Sequence, residues 1–163
     1  MRKATFGLAV LTLLAGCGQN NPAEEKAEAA HDVAMVERLN KATFQPIIPV
    51  PITAQDIASY GLDKPGCSFR KTGQADPLFI AGKDEGFLRV EGELKRYAAK
   101  SQSAGLPGGA RTTYVGLAGW IDLVRQPDAG TGADDMRWPA RIILHDAQER
   151  VAFMSDGEMT CHT

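Results

Sequence analysis

From residue 67 to residue 156, short segments rich in β-branched and aromatic residues are separated by glycine, proline and aspartate. Such segments at regular spacing predict short β-strands joined by turns. Because no helix-length segment separates them, a parallel α/β sheet is excluded. The sequence predicts a mainly β fold, a small antiparallel β-sandwich or barrel of about eight strands. The eight segments are CSFRKT, PLFIAG, GFLRVEG, ELKRYAAK, RTTYVG, AGWIDLVR, ARIILHD and RVAFMSD.

Two shorter elements are predicted just before these strands. The prolines of FQPIIPVPIT (residues 44–53) exclude a helix and favour an extended segment that lies along the domain as an edge strand. Thr53 followed by Asp56 resembles a capping box, which predicts a short helix over residues 54–60 that stops at Gly61.

Alternation within the predicted strands indicates which side chains are buried. Val115, Leu117, Ile121 and Leu123 all occupy odd-numbered positions, so we expect them on one buried face. Glu91-Gly92 has the composition of a tight turn between two neighbouring strands.

The N-terminus has the layout of a secretory signal peptide. Arg2 and Lys3 precede an apolar run over residues 4–14 that contains no charge. This run is shorter than the roughly 20 residues that a membrane-spanning helix needs. Small residues and Cys17 follow it directly, as expected at a cleavage site.

The sequence Leu14-Ala15-Gly16-Cys17 resembles the lipobox of bacterial lipoproteins. The resemblance implies that the chain is cut after Gly16 and that Cys17 receives a diacylglyceryl thioether and an acylated amine. Several acyl chains hold a protein on a membrane firmly. Gly18, where an aspartate retains enteric lipoproteins in the inner membrane, favours a periplasm-facing position on the outer membrane.

These features divide the chain into three parts. Residues 1–16 are the predicted signal peptide, residues 17–45 a lipid-anchored tether, and residues 46–163 the β domain. The tether is rich in alanine and glutamate, and we expect a solvated, helical or disordered spacer with a weakly amphipathic helix between Glu24 and Asn40.

Two of the three cysteines remain once Cys17 carries lipid. In an oxidising compartment the even pair Cys67 and Cys161 predicts a disulfide. Two free thiols or a metal-binding pair are the alternatives, and only His162 is an adjacent metal ligand.

Composition and motif spacing exclude several function classes. With 18 basic and 20 acidic residues the chain has no excess of positive charge, so nucleic-acid binding is not expected. Asp128, Asp134 and Asp135 lie in a glycine-rich loop but do not match an EF-hand. His145 beside Asp146 resembles an oriented base without a nucleophile. We therefore expect no enzyme activity, no catalytic residues, no metal and no cofactor.

The whole chain resembles small alphaproteobacterial lipoproteins of unknown function, on the lipobox and the pair Cys67 and Cys161. This resemblance implies a structural or protein-interaction module of the cell envelope, bound to the membrane through its lipid and to an envelope protein.

The layout is also similar to the periplasmic inhibitors of C-type lysozymes, which are small β-barrel lipoproteins. Their Ser-Ala-Ser-Gly-x-Arg-Tyr loop has an interrupted counterpart in SQSAG (residues 101–105) and ARTTY (residues 110–114). That resemblance implies that Ser103 and Arg111 contact the target, although an insertion over residues 106–109 breaks the spacing. Trp120 and Trp138 belong either to the core, the more common place for tryptophan, or to an exposed binding surface, and Trp120 is the further candidate binding residue.

Overall fold

A computed structural model describes residues 21–40, 43–127 and 136–163. The chain divides into two units, Met1–Thr43 and Phe44–Thr163. The predicted leader, Cys17 and the three aspartates of the glycine-rich loop lie outside the described residues.

The first unit contains helix α1, Pro22–Leu39. Asn21 caps it by accepting a hydrogen bond from the Ala23 N–H, and proline occupies its first turn. Every residue of α1 is exposed, as expected for the predicted solvated helix. Within the described ranges no helix is long and apolar enough to cross a membrane.

The described part of the second unit forms nine β-strands, a short α-helix and a 3₁₀ turn, and the mainly β prediction is confirmed. All eight predicted strands are present. The elements are β1 Pro49–Val50, α2 Ala54–Tyr60, β2 Gly66–Lys71, β3 Phe79–Ala81, β4 Glu85–Val90, β5 Glu93–Ala99, the 3₁₀ turn Pro107–Gly109, β6 Thr113–Gly116, β7 Gly119–Arg125, β8 Arg137–Asp146 and β9 Val151–His162.

Strands β2 to β9 form a closed antiparallel barrel rather than a sandwich. Each strand pairs with the next along the chain, and the last strand, β9, pairs with the first, β2. Closure leaves these eight strands without a free edge, which removes the risk of edge-to-edge association. The turns at residues 91–92, 117–118 and 147–150 share one end, the hairpin end. Residues 100–112 lie at the opposite end, the loop end.

The segment before the barrel runs across the hairpin end. The Ile47 N–H donates to the carbonyl of Ala152 in β9, and Pro49 and Val50 pair with β4 beside the short strand β3. The predicted edge strand is thus confirmed. Helix α2 has the complete capping box of Thr53 and ends at a left-handed glycine, as predicted.

The Cys67–Cys161 disulfide is confirmed and lies at the seam of the barrel. The two cysteines are directly opposite in the β2–β9 pairing, with their Cα atoms 3.9 Å apart. The bond joins the first barrel strand to the last across 94 residues of sequence. It therefore fixes covalently the one pairing between strands that are distant in sequence.

Apolar side chains fill the barrel. Apart from the Tyr114 hydroxyl, no polar or charged side chain is buried among the described residues. Phe79 meets Tyr114 edge to face, with ring centroids 5.2 Å apart. The largest fully buried side chains are Tyr114, Phe69, Phe79, Ile52, Leu78, Leu88, Ile121, Ile142, Leu144 and Met159.

The prediction that four odd-numbered residues share one buried face is correct for two of them and wrong for the other two. Ile121 and Leu123 are buried, but Val115 is 45% exposed and Leu117 is fully exposed. The two-residue turn after β6 pairs Tyr114 with Ile121, so even positions of β6 share a face with odd positions of β7. A turn of even length that joins antiparallel strands reverses the parity, and Leu117 lies in the turn itself.

Candidate functional site

Ser103 and Arg111 lie together at the loop end. The Arg111 Nη1 donates to the Ser103 carbonyl at 3.1 Å, and the Ser103 hydroxyl donates to the Lys100 carbonyl at 2.7 Å. A β-bridge joins Gly105 to Arg111. The structure therefore closes the loop on itself and leaves both side chains partly exposed.

Tyr114 holds this loop from inside the barrel. Its hydroxyl donates to the Gly82 carbonyl at 2.6 Å and accepts the Arg111 N–H at 2.9 Å. Burial raises the pKa of Tyr114 to about 12, against opposing contributions from Arg111. One buried phenol thus ties the turn after β3 to the loop that carries Arg111.

The insertion over residues 106–109 packs against the disulfide. The Pro107 carbonyl oxygen lies 3.4 Å from the Cys67 Sγ, a packing contact because a disulfide sulfur has no hydrogen to donate. Gly108 has φ +67°, and a Cβ there would lie 2.4 Å from the Gly66 nitrogen and 2.6 Å from the His162 oxygen. Only glycine fits this approach, so the insertion is held close to the ends of β2 and β9.

Trp120 lies on the outer face of the barrel, away from Ser103 and Arg111. It is the second residue of β7, beside the hairpin end, where it pairs with Val115 and His145. The structure therefore brings two of the three candidate binding residues together and leaves Trp120 in a separate place.

Sequence reasoning missed the polar cluster beneath Trp120. The indole stacks on the His145 ring with centroids 4.4 Å apart and donates from Nε1 to Asp122 at 3.0 Å. Asp122 also accepts from the Thr113 hydroxyl at 2.7 Å, and its Oδ2 lies 3.4 Å from the His145 Nε2. These four residues come from three adjacent strands, and only the strand register reveals that they meet. The cluster fixes the orientation of the indole.

His145 does not pair with Asp146, the neighbour considered from the sequence. Asp146 is only 14% exposed and forms an ion pair with Arg150 in the turn before β9. Burial raises the pKa of Asp146, but hydrogen bonds from the Arg150 backbone and side chain and from the Gln148 N–H lower it more. Asp146 therefore stabilises the turn and does not orient His145.

Exposed aliphatic side chains flank the partly buried rings of Trp120 and His145. Val115, Trp120, His145 and Val151 follow one another across β6, β7, β8 and β9, and Met154 lies in the next row. Val151 is 49% exposed and Met154 is 53% exposed. We call these five residues the Trp120 face. Exposed apolar surface is typical of an interaction site.

The described ranges contain no group of three histidine, cysteine or acidic residues arranged to hold a metal. The chain matches no protein-family model, no curated protein and no solved structure. The site is therefore defined by its geometry alone: a closed loop with Ser103 and Arg111 at one end, and the Trp120 face beside the other.

Proposed function

We propose that this chain is a lipid-anchored protein of the cell envelope whose barrel binds another envelope protein through the Trp120 face. The lipobox ending at Cys17 supports the anchor. The disulfide supports an oxidising compartment, because such bonds persist outside the cytosol. The proposed position is periplasm-facing, on the outer rather than the inner membrane, and the proposed role involves no catalysis.

The Trp120 face is the observation that carries the binding role. Its exposed side chains project from a barrel that is closed by hydrogen bonds and by a disulfide, so the face is rigid before a partner arrives. A rigid surface loses little conformational entropy on binding. A tryptophan near the centre of an interface is the most frequent energetic anchor.

The binding role is tested by photo-crosslinking in living Gram-negative cells that express the full chain. With a photoreactive residue in place of Val115, we expect one defined protein adduct. Trp120→Ala should weaken this contact by about 2 kcal/mol, roughly thirtyfold in affinity, and abolish the adduct. The matched control carries the photoreactive residue at Ser103, which is away from the Trp120 face and should not form this adduct. No adduct from position 115, or one that persists in Trp120→Ala, contradicts the proposal.

Inhibition of C-type lysozymes is the second candidate function, and the contact between Arg111 and Ser103 favours it. Under this function the protein inhibits such a lysozyme, and Arg111→Ala weakens inhibition by about tenfold or more, because a charged hydrogen-bonding group is lost. Trp120→Ala is the control that leaves inhibition unchanged. A steady-state assay of C-type lysozyme activity in the presence of the protein tests this function. Unaltered lysozyme activity at a large excess of the protein rejects it.

A further inference from the structure

A cavity of about 250 Å³ opens at the loop end of the barrel. Its floor consists of barrel-interior side chains, Leu123, Ala140 and Met159, which are all at most 5% exposed. Trp138 forms one wall and the loop residue Leu106 forms another. The cavity is therefore an apolar extension of the barrel interior towards solvent.

The small side chain of Ala140 leaves room for this space. Trp138 is opposite Met159 in the β8–β9 pairing and borders the space nearer the end of the barrel. Gly157, opposite Ala140, does not line the cavity, because an atom of the Phe69 ring lies 2.8 Å from where its Cβ would be. The cavity thus follows from one small residue beneath a large ring.

Arg125 brings a positive charge to the mouth of the cavity. Side chains of β7 alternate between the inside and the outside of the barrel, and Arg125 lies on the same side as the buried Ile121 and Leu123. Arg125 pairs with Ala140 in β8. The Gln126 N–H donates to the Pro139 carbonyl, so the β7–β8 hydrogen bonding continues past Arg125. The strand therefore places an exposed cation at the rim of an apolar space.

The Arg125 guanidinium keeps its donors available for a ligand. It lies over the Trp138 ring, 5.1 Å from the centroid, and this stacking uses the flat face of the group rather than its N–H bonds. Within the described part of the chain no carboxylate forms an ion pair with it. A planar, oriented guanidinium is suited to bidentate binding of a carboxylate.

We propose that this cavity binds a small amphiphilic carboxylate, with its apolar part against Trp138 and Met159 and its carboxylate on Arg125. An apolar cavity of about 150 Å³ accommodates benzene, so this one accommodates an aliphatic or aromatic group of about eight carbon atoms. The cavity is separate from the Trp120 face, and a protein partner there does not occupy it.

Octanoate is the probe, and Trp138 fluorescence in the full chain carrying Trp120→Phe is the readout, since the chain has two tryptophans. We expect a saturable change with octanoate and binding about tenfold weaker or more with 1-octanol, which lacks the charge-assisted hydrogen bonds. Octylammonium should bind more weakly than 1-octanol, because its charge repels Arg125.

Two variants locate the site. Arg125→Gln should reduce octanoate affinity to that of 1-octanol and leave 1-octanol unchanged, whereas Arg125→Lys should retain only part of the difference, because an ammonium keeps the charge but not the planar, bidentate geometry. Ala140→Leu fills the cavity and should abolish both signals, with thermal unfolding as the check that the barrel still folds. The proposal is overturned by the absence of saturable octanoate binding, by equal affinity for octanoate and 1-octanol, or by Arg125→Gln behaving as the parent protein.

Discussion

Replacing both barrel cysteines, as Cys67→Ala with Cys161→Ala, should lower the free energy of unfolding by about 4–5 kcal/mol. The estimate is the loop-closure entropy of a cross-link that spans 94 residues. The effect is large because β2 and β9 are the strands most distant in sequence that must pair. Without the bond, the seam of the barrel depends on non-covalent contacts, chiefly the ladder from Gly66 to Lys71.

Urea denaturation of the oxidised protein and the double variant measures this effect. Cys17→Ser is the matched control, because it removes the third cysteine of the chain and leaves Cys67 and Cys161 in place. It should leave the urea midpoint unchanged. A loss below about 1 kcal/mol in the double variant would mean that the bond does not form in solution or that the unfolded chain is already compact.

Tyr114→Phe should cost about 2 kcal/mol of stability and loosen the loop end. The substitution keeps the ring that packs on Phe79 but removes the hydroxyl that serves both Gly82 and Arg111. Two backbone groups then lose their partner, each at a cost of about 1–3 kcal/mol when no water replaces it. Urea denaturation gives the loss, and amide hydrogen exchange at Arg111 should accelerate.

The same phenol predicts a loss of stability in alkaline solution. Since burial raises the pKa of Tyr114 to about 12 in the folded protein, folding favours the protonated phenol. This contribution is complete below the ordinary pKa of about 10 and is lost as pH rises from there through about 12. Burial also raises the pKa of Tyr97, so the comparison is between the parent and Tyr114→Phe. Parallel stability curves above pH 10 would contradict the assignment.

The strands, the short helix and the disulfide could be predicted from short stretches of sequence and from the number of cysteines. Alternating segments between turn residues identified β2 to β9, and the Thr53 capping box with Gly61 bounded α2. The tight turn at Glu91-Gly92 is present with both residues at positive φ, as a two-residue hairpin requires. Each of these features depends on neighbours in sequence or on counting cysteines.

Barrel closure and the interior and exterior faces could not be predicted in the same way. The choice between sandwich and barrel depends on the pairing of β9 with β2 and of β4 with β5. The assignment of Val115 and Leu117 to the core was wrong because the turn after β6 reverses the parity between strands. Register, rather than composition, decides both points.

The candidate sites depend on register even more strongly. Ser103 and Arg111 were found through a resemblance, and the structure places them in contact. Alternation along β7 places Trp120 and Asp122 on one face, but only the register of β7 and β8 brings His145 to them. The cavity is bordered by Arg125 and Ala140, whose pairing becomes evident only once β7 and β8 are aligned.

Mass spectrometry of the full chain, purified from the membranes of a Gram-negative host, tests the proposed anchored envelope module most directly. We expect a mature N-terminus at Cys17 that carries a diacylglyceryl group and an acylated amine, together with an intact bond between Cys67 and Cys161. A chain that still begins at Met1, with an unmodified Cys17 thiol, would contradict the proposed anchor and location.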